Sequence, residues 1–234
     1  MSFEGKTALI TGAAGTLGRA VAAAFKGAGA RRILVDIDAG ALEKAHGGNT
    51  VDQFLATADL GDRAAVIAAC RQGIDAFGAI DIACNIAGGF AMGDPVHETP
   101  IEVWQRMMGM NAVSVLNAAA AVVPHMLAAG HGKIVNVGAM GGLKGGGDMG
   151  AYAASKSAVI RLTESMAAEL REKNINVNCV LPSIIDTQPN RDAMPDADPA
   201  RWVAPEALAD VILFLASDAA RAVHGAAVPV VGLS

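Results

Sequence analysis

The sequence predicts an α/β fold: a doubly wound parallel sheet of about seven strands with helices on both faces. Three observations predict it. Short runs rich in Val, Ile and Leu alternate with helical stretches along the whole chain, the pattern of βαβ units. Hydrophobic types make up 53% of the 234 residues against 18% charged, enough apolar material to cover both faces of such a sheet. The first run passes directly into a glycine cluster and then a helical stretch, as the opening turn of a doubly wound sheet does.

Each element has a local reason. Residues 7–11, Thr-Ala-Leu-Ile-Thr, form a short strand ended by glycine. Residues 21–28 are alanine-rich and helical, and Gly29 stops them. Residues 33–35 form a second buried strand that ends at Asp36, and a third lies at 54–57. An acidic start at Asp62 opens a helix that runs to Phe77. A fourth strand occupies 80–84, and two helical stretches follow at 100–110 and 113–129. Residues 133–137 are the fifth strand, 152–173 a long amphipathic helix and 175–180 the sixth strand. A helix at 205–217 and a strand at 226–231 close the series. Right-handed crossovers fold these units into one sheet, and ligands then sit beyond the C-terminal strand ends.

Composition excludes several classes. The net charge is −5 with no basic patch, which disfavours nucleic acid and anionic membranes as partners. The 27 glycines follow no Gly-X-Y period, so collagen is excluded. Cys70, Cys84 and Cys179 are widely spaced in apolar stretches. They read as buried thiols in a reducing compartment, with neither disulfides nor a metal site. The N-terminus lacks a signal-peptide core, so a cytoplasmic location is expected. Residues 112–130 are apolar, but Pro124 and His125 interrupt them, and a buried helix is expected rather than a membrane span. No linker divides the chain, so residues 1–234 read as a single unit.

The chemistry should lie just after the strands. The first strand leads into Gly12-Ala13-Ala14-Gly15-Thr16-Leu17-Gly18 and then a helix. Glycines there let the backbone approach a pyrophosphate, which the helix N-terminus attracts. Asp36 stands 18 residues after Gly18, close to the spacing of about 20 for a ribose-binding acid. Its carboxylate can accept from both ribose hydroxyls and would repel a 2′-phosphate, so NAD(H) is expected in preference to NADP(H). Together these mark a Rossmann-type dinucleotide site. Tyr152 and Lys156 stand four apart, on one helix face. A tyrosine is a poor base near its ordinary pKa of about 10. A nearby ammonium lowers that value, so Tyr152 is expected to exchange a proton while a nicotinamide carries hydride.

Further motifs resemble the short-chain dehydrogenase/reductase family. Asp59-Leu60 is similar to its adenine-contacting pair. Asn85-Ile86-Ala87-Gly88 resembles its Asn-Asn-Ala-Gly turn, with Ile86 in place of the second Asn. Asn111 matches the family's helix asparagine, and Tyr152 to Lys156 its Tyr-x-x-x-Lys. Pro182, Ile184, Ile185 and Thr187 match the segment that holds the nicotinamide, with Ser183 at a usual glycine. Thr16 likewise replaces the middle glycine of the phosphate loop. The resemblance implies catalytic roles for Asn111, Tyr152 and Lys156, with Asn111 anchoring a proton-relaying water and Lys156 holding a ribose. It implies cofactor contacts from Gly12, Gly15, Thr16, Leu17, Gly18, Asp36, Asp59, Leu60, Asn85, Ala87 and Gly88. It implies a small-molecule substrate and a homodimer or homotetramer, through helices at 112–129 and 152–170.

One departure affects the mechanism. Thirteen residues before Tyr152 the family has a substrate-polarising serine, and this chain has Ala139. Residues 137–147 contain neither Ser nor Thr. The quinonoid dihydropteridine reductases, a subgroup, also lack that serine. Segments Ala87-Gly88-Gly89-Phe90, Gly147-Asp148-Met149 and 181–202 resemble theirs. A quinonoid acceptor is already electron-poor and needs less polarisation. The remaining readings are a reductase of ketones or 3-oxoacyl thioesters, and a non-catalytic cofactor-binding sensor or scaffold. Residues 183–202 form a connection longer than usual, expected to act as a lid over the nicotinamide with Met194 and Trp202 on its inner face.

Overall fold

The computed structural model describes residues 1–234. Its elements are β1 (Thr7–Thr11), α1 (Thr16–Gly27), β2 (Arg31–Asp36), α2 (Ala39–His46), β3 (Gln53–Thr57), α3 (Arg63–Phe77) and β4 (Ile82–Asn85). Then come α4 (Ile101–Met107), a π-helical turn (Met108–Val113), α5 (Ser114–Ala129), β5 (Gly132–Val137) and α6 (Gly150–Leu170). β6 (Ile175–Pro182), α7 (Gln188–Ala193), α8 (Pro205–Ala216) and β7 (Ala227–Val230) complete the chain.

All seven strands join one parallel sheet in the order β3-β2-β1-β4-β5-β6-β7. The expected doubly wound fold is therefore present. Strand residues alternate between two cores, as a two-residue side-chain period requires. Ala8, Ile10, Leu34, Cys84 and Val135 face α1 and α8. Leu9, Ile33, Val35, Ala83 and Ile134 face the layer of α3, α5 and α6. Strand order reverses between β1 and β4, which opens a crevice above their C-terminal ends.

Some expectations need correction. The stretches 100–110 and 113–129 are one continuous helix from Ile101 to Ala129, with a π turn where a break was expected. Pro124 lies inside it without ending it. By length and composition this helix is apolar enough to cross a membrane, yet half of its most apolar window is buried within the protein. Two helices went unread in the sequence. α2 is a short helix capped by Asp38, which accepts from Ala41 N, and α7 lies within the expected lid. The three cysteines are free and buried. Burial pushes the Cys70 thiol up to about 12 and Cys179 to about 11.

Candidate active site

The β1 and β4 ends are tied by one side chain. Thr11 Oγ1 accepts from Ile86 N at 3.1 Å and Ala87 N at 3.3 Å. The loops that follow then touch. A Cβ on Gly12, whose φ is +63°, would lie 2.8 Å from Ala87 Cα, and one on Gly18 would lie 2.1 Å from Gly12 O. Only glycine permits this closure. α1 begins at Thr16, with Gly15 as a cap that offers no side chain and no acidic residue in the first turn. Thr16 therefore sits in helical backbone, where a β-branched residue fits without strain. The first main-chain bond of the helix runs from Arg19 N to Gly15 O, so the N–H groups of Thr16, Leu17 and Gly18 point outward as anion donors.

Asp36, at the end of β2, is half-buried. Its Oδ2 accepts from Ala14 N at 2.9 Å and its Oδ1 from Ile37 N at 2.8 Å. The carboxylate thus fixes the glycine loop besides facing the crevice. A cavity of about 310 Å³ brings together Gly12, Asp36, Asp59, Leu60, Ala87 and Gly88. Gly15, Thr16, Leu17, Gly18 and Asn85 are not among its lining residues. The cavity also exposes Ile37, Gly61, Arg106, Gly109, Met110 and Ser114, which sequence reasoning missed. Among them Arg106, Met110 and Ser114 recur every four residues along the long helix, a spacing that puts them on one face. Open helix donors, close-packed glycines and a ribose-height carboxylate fit a dinucleotide.

Asn85 reaches away from this cavity. Its Nδ2 donates to Asn136 Oδ1 at 2.8 Å, and Asn136 donates on to Thr163. It ties β4 to β5 beneath the crevice, while its own Oδ1 is buried without a partner.

Asn111 lies in the π turn. Its Oδ1 accepts from Gly89 N at 2.9 Å, and its Nδ2 donates to Gly89 O and to Ser155 Oγ. Ser155 Oγ in turn donates to Tyr152 O. The side chain is a clamp between the β4 loop and α6, with both amide hydrogens engaged. Lys156 is buried, and its Nζ donates to Val137 O at 2.9 Å. A Cβ on Gly88 would lie 2.7 Å from Asn111 Oδ1 and 3.1 Å from Lys156 Nζ, so these three converge.

The expected lowering of the Tyr152 pKa does not occur. Burial pushes the phenol up to about 12. Burial also lowers Lys156 to about 8, against a smaller opposing pull from Cys179. The ammonium is turned to the Val137 carbonyl, and burial alone sets the direction of the phenol's shift. The Tyr152 ring meets Phe90 edge-on at 4.8 Å between centroids, and its other edge lies 3.4 Å from where a Cβ on Gly141 would stand. Ala139 is 5% exposed. The nearest hydroxyls in sequence are engaged elsewhere: Ser155 with Tyr152 O and Ser157 with Gly142 O. A second cavity, of about 220 Å³, opens beside the start of α6. Met92, Val103, Asp148 and Met149 line it, and Arg106 borders both cavities.

Pro182 ends β6, and Ile184, Ile185 and Thr187 follow in half-exposed positions. Thr187 caps α7 by accepting from Asn190 N at 3.3 Å. Trp202 is buried where the segment rejoins the fold, so it packs in the core rather than on a mobile inner face. Met194 is half-exposed.

Comparison with known proteins agrees with this geometry. The family model described as short chain dehydrogenase matches residues 6–198. The chain is 34% identical to (2S)-[(R)-hydroxy(phenyl)methyl]succinyl-CoA dehydrogenase subunit BbsD of Thauera aromatica, over 99% of this chain and 97% of that one. It is also 34% identical to the 3-oxoacyl-[acyl-carrier-protein] reductase of Thermotoga maritima, over 99% and 98%. Among solved structures, NAD+-bound xylitol dehydrogenase superposes with a TM-score of 0.91 at 29% identity, over 99% of this chain and 100% of that one.

Proposed function

The chain belongs to the short chain dehydrogenase family and is an NAD(P)-dependent oxidoreductase, and from that premise we propose that it is an NADH-preferring reductase of a flat, electron-poor acceptor of the quinonoid dihydropteridine kind. The observation that carries this reading is Ala139, buried with no hydroxyl in its place. Losing a polarising donor lowers the rate by about 10²–10³ where a substrate depends on it. A quinonoid ring, already short of electrons, does not.

Gly12, Gly15, Thr16, Leu17 and Gly18 cradle the pyrophosphate, and Asp36 takes the adenosine ribose and turns away a 2′-phosphate. Asp59, Leu60, Ala87 and Gly88 wall the adenine side, and Asn85 braces the floor. Ile184, Ile185 and Thr187, after Pro182, cover the nicotinamide end. The bound cofactor supplies the hydride. Lys156 holds the nicotinamide ribose from below. Asn111 acts through Gly89 and Ser155, fixing the β4 loop against the helix that carries Tyr152. Tyr152 stays protonated at neutral pH, since burial holds it at about 12. It is therefore an acid and suits the reductive direction. Phe90, edge-on to Tyr152 and 56% exposed, offers a face on which a planar ring can stack. Exposed Trp104, Val113 and Leu116 on the long helix support assembly into a homodimer or homotetramer.

Similarity to a 3-oxoacyl reductase favours a second reading, a reductase of simple ketones. NADH oxidation against quinonoid dihydropterins, 3-oxoacyl thioesters and simple ketones separates the two. Turnover at least tenfold faster with the quinonoid compounds is expected. Faster turnover of a ketone or thioester overturns the first reading.

A further inference from the structure

We propose that Ser183 is a positioning residue that latches the 183–202 lid to residues 231–234, and thereby sets how long the cofactor stays bound. The inference rests on the reading that the start of this segment covers the nicotinamide end of the cleft.

The lid leaves β6 at Ser183, a position where the family resemblance puts glycine. Here the hydroxyl is engaged. Ser183 Oγ donates to Val231 O at 2.9 Å and lies 2.8 Å from Ser234 Oγ. Ser234 Oγ also donates to Val231 O at 3.1 Å, so the two hydroxyls and that carbonyl form a closed triangle in which either serine can donate to the other. Ser183 N also reaches Val230 O at 3.2 Å.

The lid returns at Arg201 and Trp202, and the same short segment holds that end. Leu233 N donates to Arg201 O at 2.9 Å, and Arg201 Nη2 donates to Leu233 O at 2.8 Å. Gly232 makes the turn between the two attachments with φ +59°, and a Cβ there would stand 3.0 Å from Arg201 O. The lid's own base is closed by Val203 N to Ile184 O and Asp186 N to Val203 O, both at 2.9 Å. Residues 231–234 therefore bridge the entry and the exit of the loop.

Glycine at 183 loses both side-chain bonds and gains backbone freedom at the entry hinge. The exit bonds at Arg201 then hold a segment that no longer grips the entry. Ser183 and Arg201 thus act as one device, although the bonds they make are separate. The residues whose placement follows are Ile184, Ile185 and Thr187, immediately after the hinge.

The test uses Ser183→Ala, Ser183→Thr, Arg201→Ala and the Ser183→Ala/Arg201→Ala double variant of the full chain. NADH dissociation is followed by stopped-flow nicotinamide fluorescence, alongside KM, kcat and thermal melting. Ser183→Ala is expected to speed dissociation and raise the KM for NADH about three- to tenfold, from the loss of one or two net hydrogen bonds. Its kcat should not fall, and its melting point should stay near wild type. Ser183→Thr should restore the wild-type rate. The double variant should be little worse than Ser183→Ala alone, because that change already opens the bridge at the entry, while Arg201→Ala leaves the bond from Leu233 N to Arg201 O in place. Trypsin cleavage after Arg191, measured without cofactor, should accelerate in Ser183→Ala. Unchanged dissociation and unchanged cleavage in Ser183→Ala overturn the latch. A wild type that neither binds nor oxidises NADH overturns the catalytic reading instead, and the cleavage rate still decides the latch.

Discussion

Tyr152 and Lys156 show how far residue spacing carries an argument. Four residues apart on a helix puts them on one face, and Lys156 Nζ does converge with Asn111 on Gly88. Spacing does not say where Nζ points, however, and Val137 O takes it. Tyr152→Phe should lower kcat by about 10²–10⁴, the usual worth of a positioned acid, and leave the Kd for NADH unchanged by fluorescence titration. Retained turnover would remove the proton-donor role. Lys156 gives a pH dependence with two opposite signs. It is cationic below about 8, so the KM for NADH should rise as pH passes through that value. Its folded pKa is below its ordinary 10.5. Between the two the unfolded chain binds the extra proton, so this group stabilises the ligand-free fold as pH rises across that window. Lys156→Met should abolish both inflections. Ala139→Ser should raise ketone reduction at least tenfold if the site is a ketone site lacking its donor. With a quinonoid acceptor, kcat should stay level or fall.

At the scale of elements, the strands were legible because each is a short apolar run, most of them with glycine, aspartate or proline at the end. β1 runs from Thr7 to Thr11 as expected. The helices were less so. The break expected between 110 and 113 falls at Asn111, a poor helix former. In the fold the helix absorbs Asn111 by widening to a π turn, a common device at functional sites, and the side chain is paid back by Gly89 and Ser155. That compensation is tertiary and leaves no trace in local sequence. α2 and α7 were missed because each is short and carries little apolar periodicity; their caps, Asp38 and Thr187, were the available signal. The β2–glycine loop unit yields a prediction of its own. Asp36 bonds Ala14 N besides facing the crevice. Asp36→Ala should therefore do two things in binding titrations. It should narrow the NADH over NADPH preference at least tenfold, and it should weaken NADH binding itself by about tenfold as the loop loses its tether. Tighter NADPH binding by the wild type would remove the selectivity role of Asp36.

Across the whole molecule, the two ends of the sheet carry different burdens. The C-terminal strand ends hold the crevice, with its glycines, strained turns and partly unpaired polar groups. The N-terminal ends hold a compensating tie. Asp81, just before β4, accepts from Thr7 N at 2.8 Å, Lys6 Nζ at 3.0 Å and His131 Nε2 at 2.9 Å. It thereby joins the starts of β1, β4 and β5 at the centre of the sheet. Burial alone would raise this carboxyl; the bonds from His131, Thr7 and Lys6 outweigh it and hold it below its usual range. A carboxyl with a depressed folded pKa stabilises the fold above its unfolded pKa of about 4 and ceases to do so as pH falls through the folded value. Asp81→Ala leaves a buried N–H, the Lys6 ammonium and the His131 ring without their acceptor. Lys6 is half-exposed and adds little, so the loss should be about 2–3 kcal/mol, mostly from Thr7 and His131. In a chain of this size that lowers Tm by about 4–10 °C at pH 7. The gap between wild type and variant should shrink in acid, once pH falls through the depressed value of Asp81 and the wild-type carboxyl protonates. Both kcat and the KM for NADH should stay within about twofold of wild type, because the tie lies a full strand length from the crevice. A Tm difference that persists unchanged in acid strong enough to protonate Asp81 would mean that the carboxylate's charge plays no part in holding the three strands together.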